Sequence, residues 1–314
     1  LNRPAPVRRA VIDIGTNSVK LLVADVADGL ITPICETSKQ TRLGAGFYHT
    51  RQLQPSAIAS SAEVVAEYSA QAADLGASSL RVIATSAARD AHNAYELTDA
   101  IRARAGKEME ILSGDQEAEW VFRGVTSNPQ LAHSPVLVLD VGGGSTEFIV
   151  GDEGEPQFRH SYSIGTVRLL EQLALNDPPG LEALAECRAG LKTFLTSEVA
   201  PFLEPALRAA PGQTRLVGTG GTATILARIE KKLAGFDREQ IETARITLPT
   251  LRAHLQEQWQ MTFAQRQQIV GVPAKRADVI LAGMAIYEAI MAQFGFGELE
   301  VSARGLRYWA VAEG

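Results

Sequence analysis

The chain has 314 residues and a net charge of −6, with 46% hydrophobic and 21% charged residues. That balance belongs to a globular chain of about two ordinary domains, and it excludes collagen, coiled coil and wholesale disorder. The negative charge argues against nucleic-acid binding through a broad basic face, so a polyanionic ligand needs a local cationic site or a metal.

Residues Leu1 to Arg9 are basic and carry Pro4 and Pro6, and Asp13 and Gly15 interrupt the apolar run behind them, which is no signal-peptide core. No window approaches about 18 uninterrupted apolar residues, so a cytoplasmic protein without a membrane span is expected. Cys35 and Cys187 have no Cys or His at metal-ligand spacing, and His49, His92, His133, His160 and His254 show none among themselves. Neither a disulfide framework nor a structural zinc site is expected.

The first strand runs from Ala10 to Ile14 and turns through Gly15-Thr16-Asn17-Ser18 into a second β-rich segment. Asp13 to Asp25 aligns without gaps onto Asp140 to Asp152 and is identical at five of 13 positions, so the same hairpin recurs after 127 residues. A period that long is domain duplication rather than a solenoid. After the first hairpin, Ile58, Ala62, Val65, Tyr68, Ala72 and Leu75 share one face of a helix predicted from about Pro55 to Leu75. A strand at Leu80 to Ala84, a helix near Tyr95 to Ala105, a strand near Glu108 to Leu112 and a helix from about Gln116 to Val125 follow. Thr126 to Pro135 reads as the connection between domains, and Val136 to Leu139 opens the second hairpin. Beyond it, a strand at Arg215 to Val217 leads into Gly218-Thr219-Gly220-Gly221-Thr222 and a helix. A long apolar helix is predicted from about Arg276 to Phe294, and a final amphipathic stretch from Ser302 to Ala312. The expected architecture is α/β, with two domains, 1–126 and 127–314, facing each other across a cleft; the last helix, about 302–312, is free to pack back on the first domain.

Each hairpin turn sets small residues directly behind a strand-terminal Asp, where glycines let backbone N–H groups converge on phosphate oxygens. A tight hairpin alone would also use Gly142, Gly143 and Gly144. Asp140 and Glu147 bracket the second turn and suit a hard cation such as Mg2+, and Asp13 is the matching candidate on the first. The repeat-mate of Glu147 is Lys20, so equivalent places carry opposite charges. Gly220 opens a predicted helix whose N-terminus suits an anion, and Arg89, after Thr85-Ser86-Ala87-Ala88, suits bidentate phosphate contact or plain solvation. Ser113-Gly114-Asp115-Gln116-Glu117 reads by itself as an ordinary helix cap with acidic residues at the dipole's positive end. There is no Gly-x-Ser-x-Gly elbow and no His-Glu-x-x-His pair.

In this order the motifs Asp13-Ile14-Gly15-Thr16-Asn17-Ser18, Thr85-Ser86-Ala87-Ala88-Arg89 with Asn93, Ser113-Gly114 with Glu117-Ala118, Asp140 to Glu147 and Gly218 to Thr222 closely resemble the Ppx/GppA family of exopolyphosphatases and guanosine pentaphosphate phosphohydrolases. The match extends to Arg276-Ala277-Asp278 and to Val301-Ser302 with Gly305-Leu306-Arg307, covering nearly the whole chain. The resemblance implies two ribonuclease-H-like domains of the actin, sugar kinase and heat-shock ATPase type. It also implies Mg2+-dependent hydrolysis of a terminal phosphoanhydride of inorganic polyphosphate, with Mn2+ as an alternative ion and pppGpp as the alternative substrate. By the same resemblance Glu117 activates water, which replaces the plain capping reading; Asp140 and Glu147 bind metal and water. Asn17, Ser18, Lys20, Arg89, Gly143, Gly144, Ser145 and Arg276 contact the phosphate chain. A homodimer is expected on the same ground. Tyr308-Trp309 depart from the Glu-Gly that many members carry there, and the chain ends without the helical extension of longer members, which favours shorter chains or nucleotides. A non-catalytic alarmone sensor would need no base beside the phosphate, so Glu117 and Glu147 disfavour it; a kinase would need an acceptor pocket with a catalytic Asp, for which no candidate stands out.

Overall fold

Val7–Ile14 (β1) and Ser18–Ala27 (β2) are almost continuous runs of buried β-branched and aliphatic residues, the pattern of strands covered on both faces. They form an antiparallel hairpin in which Asp13 faces Lys20 and Ile14 faces Val19. Leu30–Gln40 (β3) is exposed or half-buried along its whole length, as an edge strand is, and pairs antiparallel with β2. Ser79–Ala84 (β4) runs parallel to β1, and Glu110–Ile111 (β5) parallel to β4, giving the order β3-β2-β1-β4-β5. The computed structural model describes residues 5–210 and 212–313.

The second sheet repeats this plan. Val136–Val141 (β6), Thr146–Asp152 (β7) and Glu155–Tyr162 (β8) form an antiparallel meander, and Arg215–Thr219 (β9) runs parallel to β6. Arg245–Thr247 (β10) pairs antiparallel with Glu298–Val301 (β11), which runs parallel to β9. The order β10-β11-β9-β6-β7-β8, read backward from β8 to β11, is that of the first sheet with one strand added. Duplication therefore extends from the hairpin motif to the whole strand order.

The chain divides into two compact units, Leu1–Gly124 with Leu306–Gly314, and Val125–Gly305. In the first, helix Pro55–Asp74 buries Ile58, Ala62, Val65, Tyr68 and Ala72 against β1, β2 and helix Ala94–Ala105. Helix Leu306–Glu313 packs on β1 and β2, where Arg307 Nη1 donates to Leu21 O at 2.9 Å and Arg9 Nη1 to Ala312 O at 2.7 Å. Trp309 lies under the Arg123 guanidinium at 5.2 Å, a packing contact within this unit.

In the second unit helix Ile280–Phe294 is buried from Ile280 to Met291 and packs against helices Thr166–Leu173, Gly180–Phe194, Gly220–Glu230 and Leu248–Gln258. Its one carboxylate, Glu288, is bonded by Arg188 Nε at 3.1 Å and Arg252 Nε at 2.8 Å, as a buried charge requires. The helix begins with its apolar stripe at Ile280, later than the start expected near Arg276. Ala274–Arg276 is a 3-10 turn, and Asp278 Oδ1 accepts from Val279 N at 2.8 Å just before the helix opens. Among the described residues no helix is long and apolar enough to cross a membrane.

Candidate active site

In the first unit the rung Asp13·Lys20·Ser38 crosses β1, β2 and β3 on one face, because directly opposed residues share a face. Lys20 Nζ lies 3.4 Å from Asp13 Oδ2, and Asp13 is only 4% exposed. The turn beyond this rung closes with Gly15 N donating to Ser18 O at 3.0 Å. Its carbonyls are held from behind: Thr16 O accepts from Gly44 N at 2.8 Å, and Asn17 O from Thr41 N and Arg42 N at 3.2 and 3.1 Å. A trans peptide is planar with C=O and N–H opposed, so the N–H groups of Asn17 and Ser18 face away from that support. The Asn17 side chain accepts from Gln40 Nε2 at 2.9 Å, while its buried Nδ2 has no hydrogen-bond partner among the described residues. A donor in that state calls for an acceptor.

Strand β4 ends at the short helix Ser86–Asp90, which carries Arg89. Arg89 Nη1 donates to Glu117 Oε2 at 2.8 Å and to Leu112 O at 3.2 Å. Glu117 stands in the first turn of helix Gly114–Thr126, and with its residue 8% exposed it is met by the opposite charge that a buried carboxylate requires. Arg89 thus meets the candidate base directly, a pairing across 28 residues that sequence spacing does not reveal.

The second unit repeats the rung with one sign changed. Asp140 faces Glu147 across β6 and β7, and Glu147 faces Ser161 across β7 and β8. Ser161 Oγ donates to Glu147 Oε1 at 2.7 Å. Opposed carboxylates, with Cβ atoms about 4.5–5.5 Å apart, repel unless a cation lies with them. Mg2+ is characteristically held by one or two carboxylates, waters and substrate phosphate oxygens, so this rung fits the ion. Among the described residues no three His, Cys, Asp or Glu side chains form a closed ion cage. Asp140 is seated by Gly220, where an added Cβ would fall 2.1 Å from Asp140 Oδ1. Behind it Tyr287 Oη donates to Leu139 O at 3.3 Å; burial, then the charge of Asp140, pushes the Tyr287 hydroxyl well above its ordinary range and keeps it neutral.

Gly142 to Ser145 repeat the first turn's construction. Gly142 N donates to Ser145 O at 3.0 Å, and the carbonyls of Gly142, Gly143 and Gly144 are held by helix Thr166–Leu173 and its Arg168. The N–H groups of Gly143, Gly144 and Ser145 therefore face away from that helix. Gly165 makes the approach feasible, since a Cβ there would lie 2.6 Å from Gly143 backbone. Near the start of helix Gly220–Glu230, Arg276 Nη2 would lie 3.4 Å from a Cβ on Gly221. Burial lowers the Arg276 guanidinium from its ordinary value, with Asp278 opposing. The residues that sequence reasoning missed are Ser161, Arg168 and Tyr287; Gly165, directly before helix Thr166–Leu173, was the available signal for the second.

The strand order and paired turns are those of the actin, sugar kinase and heat-shock ATPase class. The Ppx/GppA phosphatase family profile matches residues 22–309. Exopolyphosphatase 2 of Mycobacterium tuberculosis is 34% identical over 313 residues, covering 95% of each chain. A guanosine-5'-triphosphate,3'-diphosphate pyrophosphatase of Aeromonas hydrophila is 28% identical, covering 95% of this chain and 57% of its own. The solved Aquifex aeolicus PPX-GPPA enzyme is 28% identical, with a TM-score of 0.79 over 98% of this chain and 100% of that one. The chain belongs to the Ppx/GppA phosphatase family. Its activity is phosphoanhydride hydrolysis.

Proposed function

We propose that the protein is an exopolyphosphatase, releasing orthophosphate from the end of inorganic polyphosphate, in the cytoplasm and as a homodimer. The observation that carries the chemistry is the pair of rungs: Asp13 with Lys20 in one unit, Asp140 with Glu147 in the other. One is suited to hold a cation of the protein for an anionic chain, the other to hold Mg2+ or Mn2+. Polyphosphate is favoured over pppGpp because the exopolyphosphatase relative is the more similar in sequence, 34% identical against 28% for the pyrophosphatase.

In this mechanism the N–H groups of Asn17, Ser18, Gly143, Gly144 and Ser145, with Lys20 and Arg276, grip phosphoryl oxygens. Gly220 contributes by giving Asp140 its seat at the start of its helix. Asp140 and Glu147 would hold the metal, which when bound offsets charge on the phosphoryl oxygens; Asp13 is tied to Lys20 and orients that cation. Glu117 takes the proton of the attacking water, and Arg89 holds the Glu117 carboxylate in place. Displacement is in line, without a covalent intermediate.

The test is orthophosphate release with Mg2+ from short polyphosphate, long polyphosphate, pppGpp and ATP. Faster release from polyphosphate than from pppGpp is the expected outcome. Release from pppGpp alone makes the protein a pppGpp phosphohydrolase, and binding without release makes it a sensor.

A further inference from the structure

Three consecutive carbonyls of the second turn are fixed from one side. Gly142 O accepts from Thr166 N at 2.9 Å, and Gly143 O from Val167 N and Arg168 N at 2.8 and 3.1 Å. Gly144 O is met by a side chain instead, Arg168 Nε, at 2.8 Å. Each bond aims one N–H on the opposite side of its peptide, and the bond to Gly144 O aims that of Ser145. In the first turn the equivalent carbonyl, Asn17 O, is held by two backbone N–H groups, those of Thr41 and Arg42. The second unit does with one guanidinium what the first does with backbone. Arg168 is 9% exposed, and its charged donor makes a stronger bond than a neutral amide. That bond also polarises the peptide, which strengthens the Ser145 N–H as a donor.

We propose that Arg168 is a positioning residue for the phosphate grip: its guanidinium sets the Gly144–Ser145 peptide so that the Ser145 N–H meets a phosphoryl oxygen of the phosphoanhydride chain. The proposal rests on reading the Gly142–Ser145 turn as a phosphate site. It assigns to the helix behind the turn a part in substrate affinity that its packing alone does not require.

The test is steady-state orthophosphate release with Mg2+, from tripolyphosphate or pppGpp, whichever the wild type cleaves faster, by wild type, Arg168→Gln and Arg168→Lys. Thermal midpoints are taken without substrate. The expected result is a KM raised about ten- to a hundredfold in Arg168→Gln. Arg168→Lys, which keeps the charge but has a methylene where Nε stood, is expected between the two. A wild-type KM in Arg168→Gln overturns the proposal. So does a lower kcat at wild-type KM, the mark of a smaller folded fraction. If Arg168→Gln does not fold, Arg168→Lys decides alone, a raised KM supporting the proposal and a wild-type KM overturning it. A wild type inactive on both substrates removes the reading of the turn and the proposal with it, whereas an active wild type beside an unaltered Arg168→Gln removes the proposal alone.

Discussion

At Gly220 two demands fall on one atom. Its φ of 77° lies in the left-handed region, and an added Cβ would overlap Asp140 Oδ1. Gly220→Ala therefore has to move either the helix start or the carboxylate, at a cost of about 1–3 kcal/mol. The expected outcome is a rise of about tenfold or more in the Mg2+ concentration for half-maximal orthophosphate release, with far-ultraviolet circular dichroism unchanged. A wild-type Mg2+ titration would place the metal away from Asp140. The sequence made Gly220 visible as an opener of a helix, but its service to Asp140 depends on β9 lying parallel to β6, which the 79 residues between Asp140 and Gly220 conceal. Glu117 was misleading for a related reason. Read locally it is an ordinary first-turn acid; the resemblance to the family replaces that reading, and the long-range bond to Arg89 sets it apart structurally from a cap.

At the scale of elements, the two hairpins share a register, and their turn-side rungs differ in one charge. Directly opposed like charges destabilise a ladder and opposite charges stabilise it by about 0.2–1 kcal/mol. Glu147→Lys gives the second rung the sign pattern of Asp13 and Lys20. In Mg2+-free buffer the variant is expected to melt at or above the wild-type temperature, while orthophosphate release is lost. Retained Mg2+-dependent release would show that this rung does not serve the metal. The hairpins were legible because Asp, small turn residues and β-branched runs recur at one spacing, and helix Pro55–Asp74 because its stripe is regular. Strands β3 and β8 were not, since edge strands alternate weakly and carry charged residues. Helices Thr166–Leu173 and Gly180–Phe194 fell in the stretch for which no pattern was drawn, and with them the support of the second turn.

At the scale of the molecule, duplication organises the structure: two sheets of one strand order, each with its own apolar core, each ending its hairpin in a turn whose carbonyls are held from behind. The repeat motif announced this arrangement, and the motif series announced the family. The return of helix Leu306–Glu313 to β1 and β2 was open in the sequence, because an amphipathic stretch specifies a buried face and not the sheet that receives it. In the mechanism we propose, what duplication does not repeat carries the chemistry. Among the described residues the Arg89–Glu117 pair lies in the first unit and the opposed carboxylates, Asp140 and Glu147, in the second.

The central claim, that Glu117 is the base for water attack on a phosphoanhydride, is tested most directly by the kcat of Glu117→Gln. The substitution keeps shape and a hydrogen-bond acceptor for Arg89 while removing basicity. Orthophosphate release from the substrate the wild type cleaves best is expected to fall about a hundred- to ten-thousandfold, with Kd for that substrate within about threefold of wild type. A kcat within threefold of wild type would contradict the assignment.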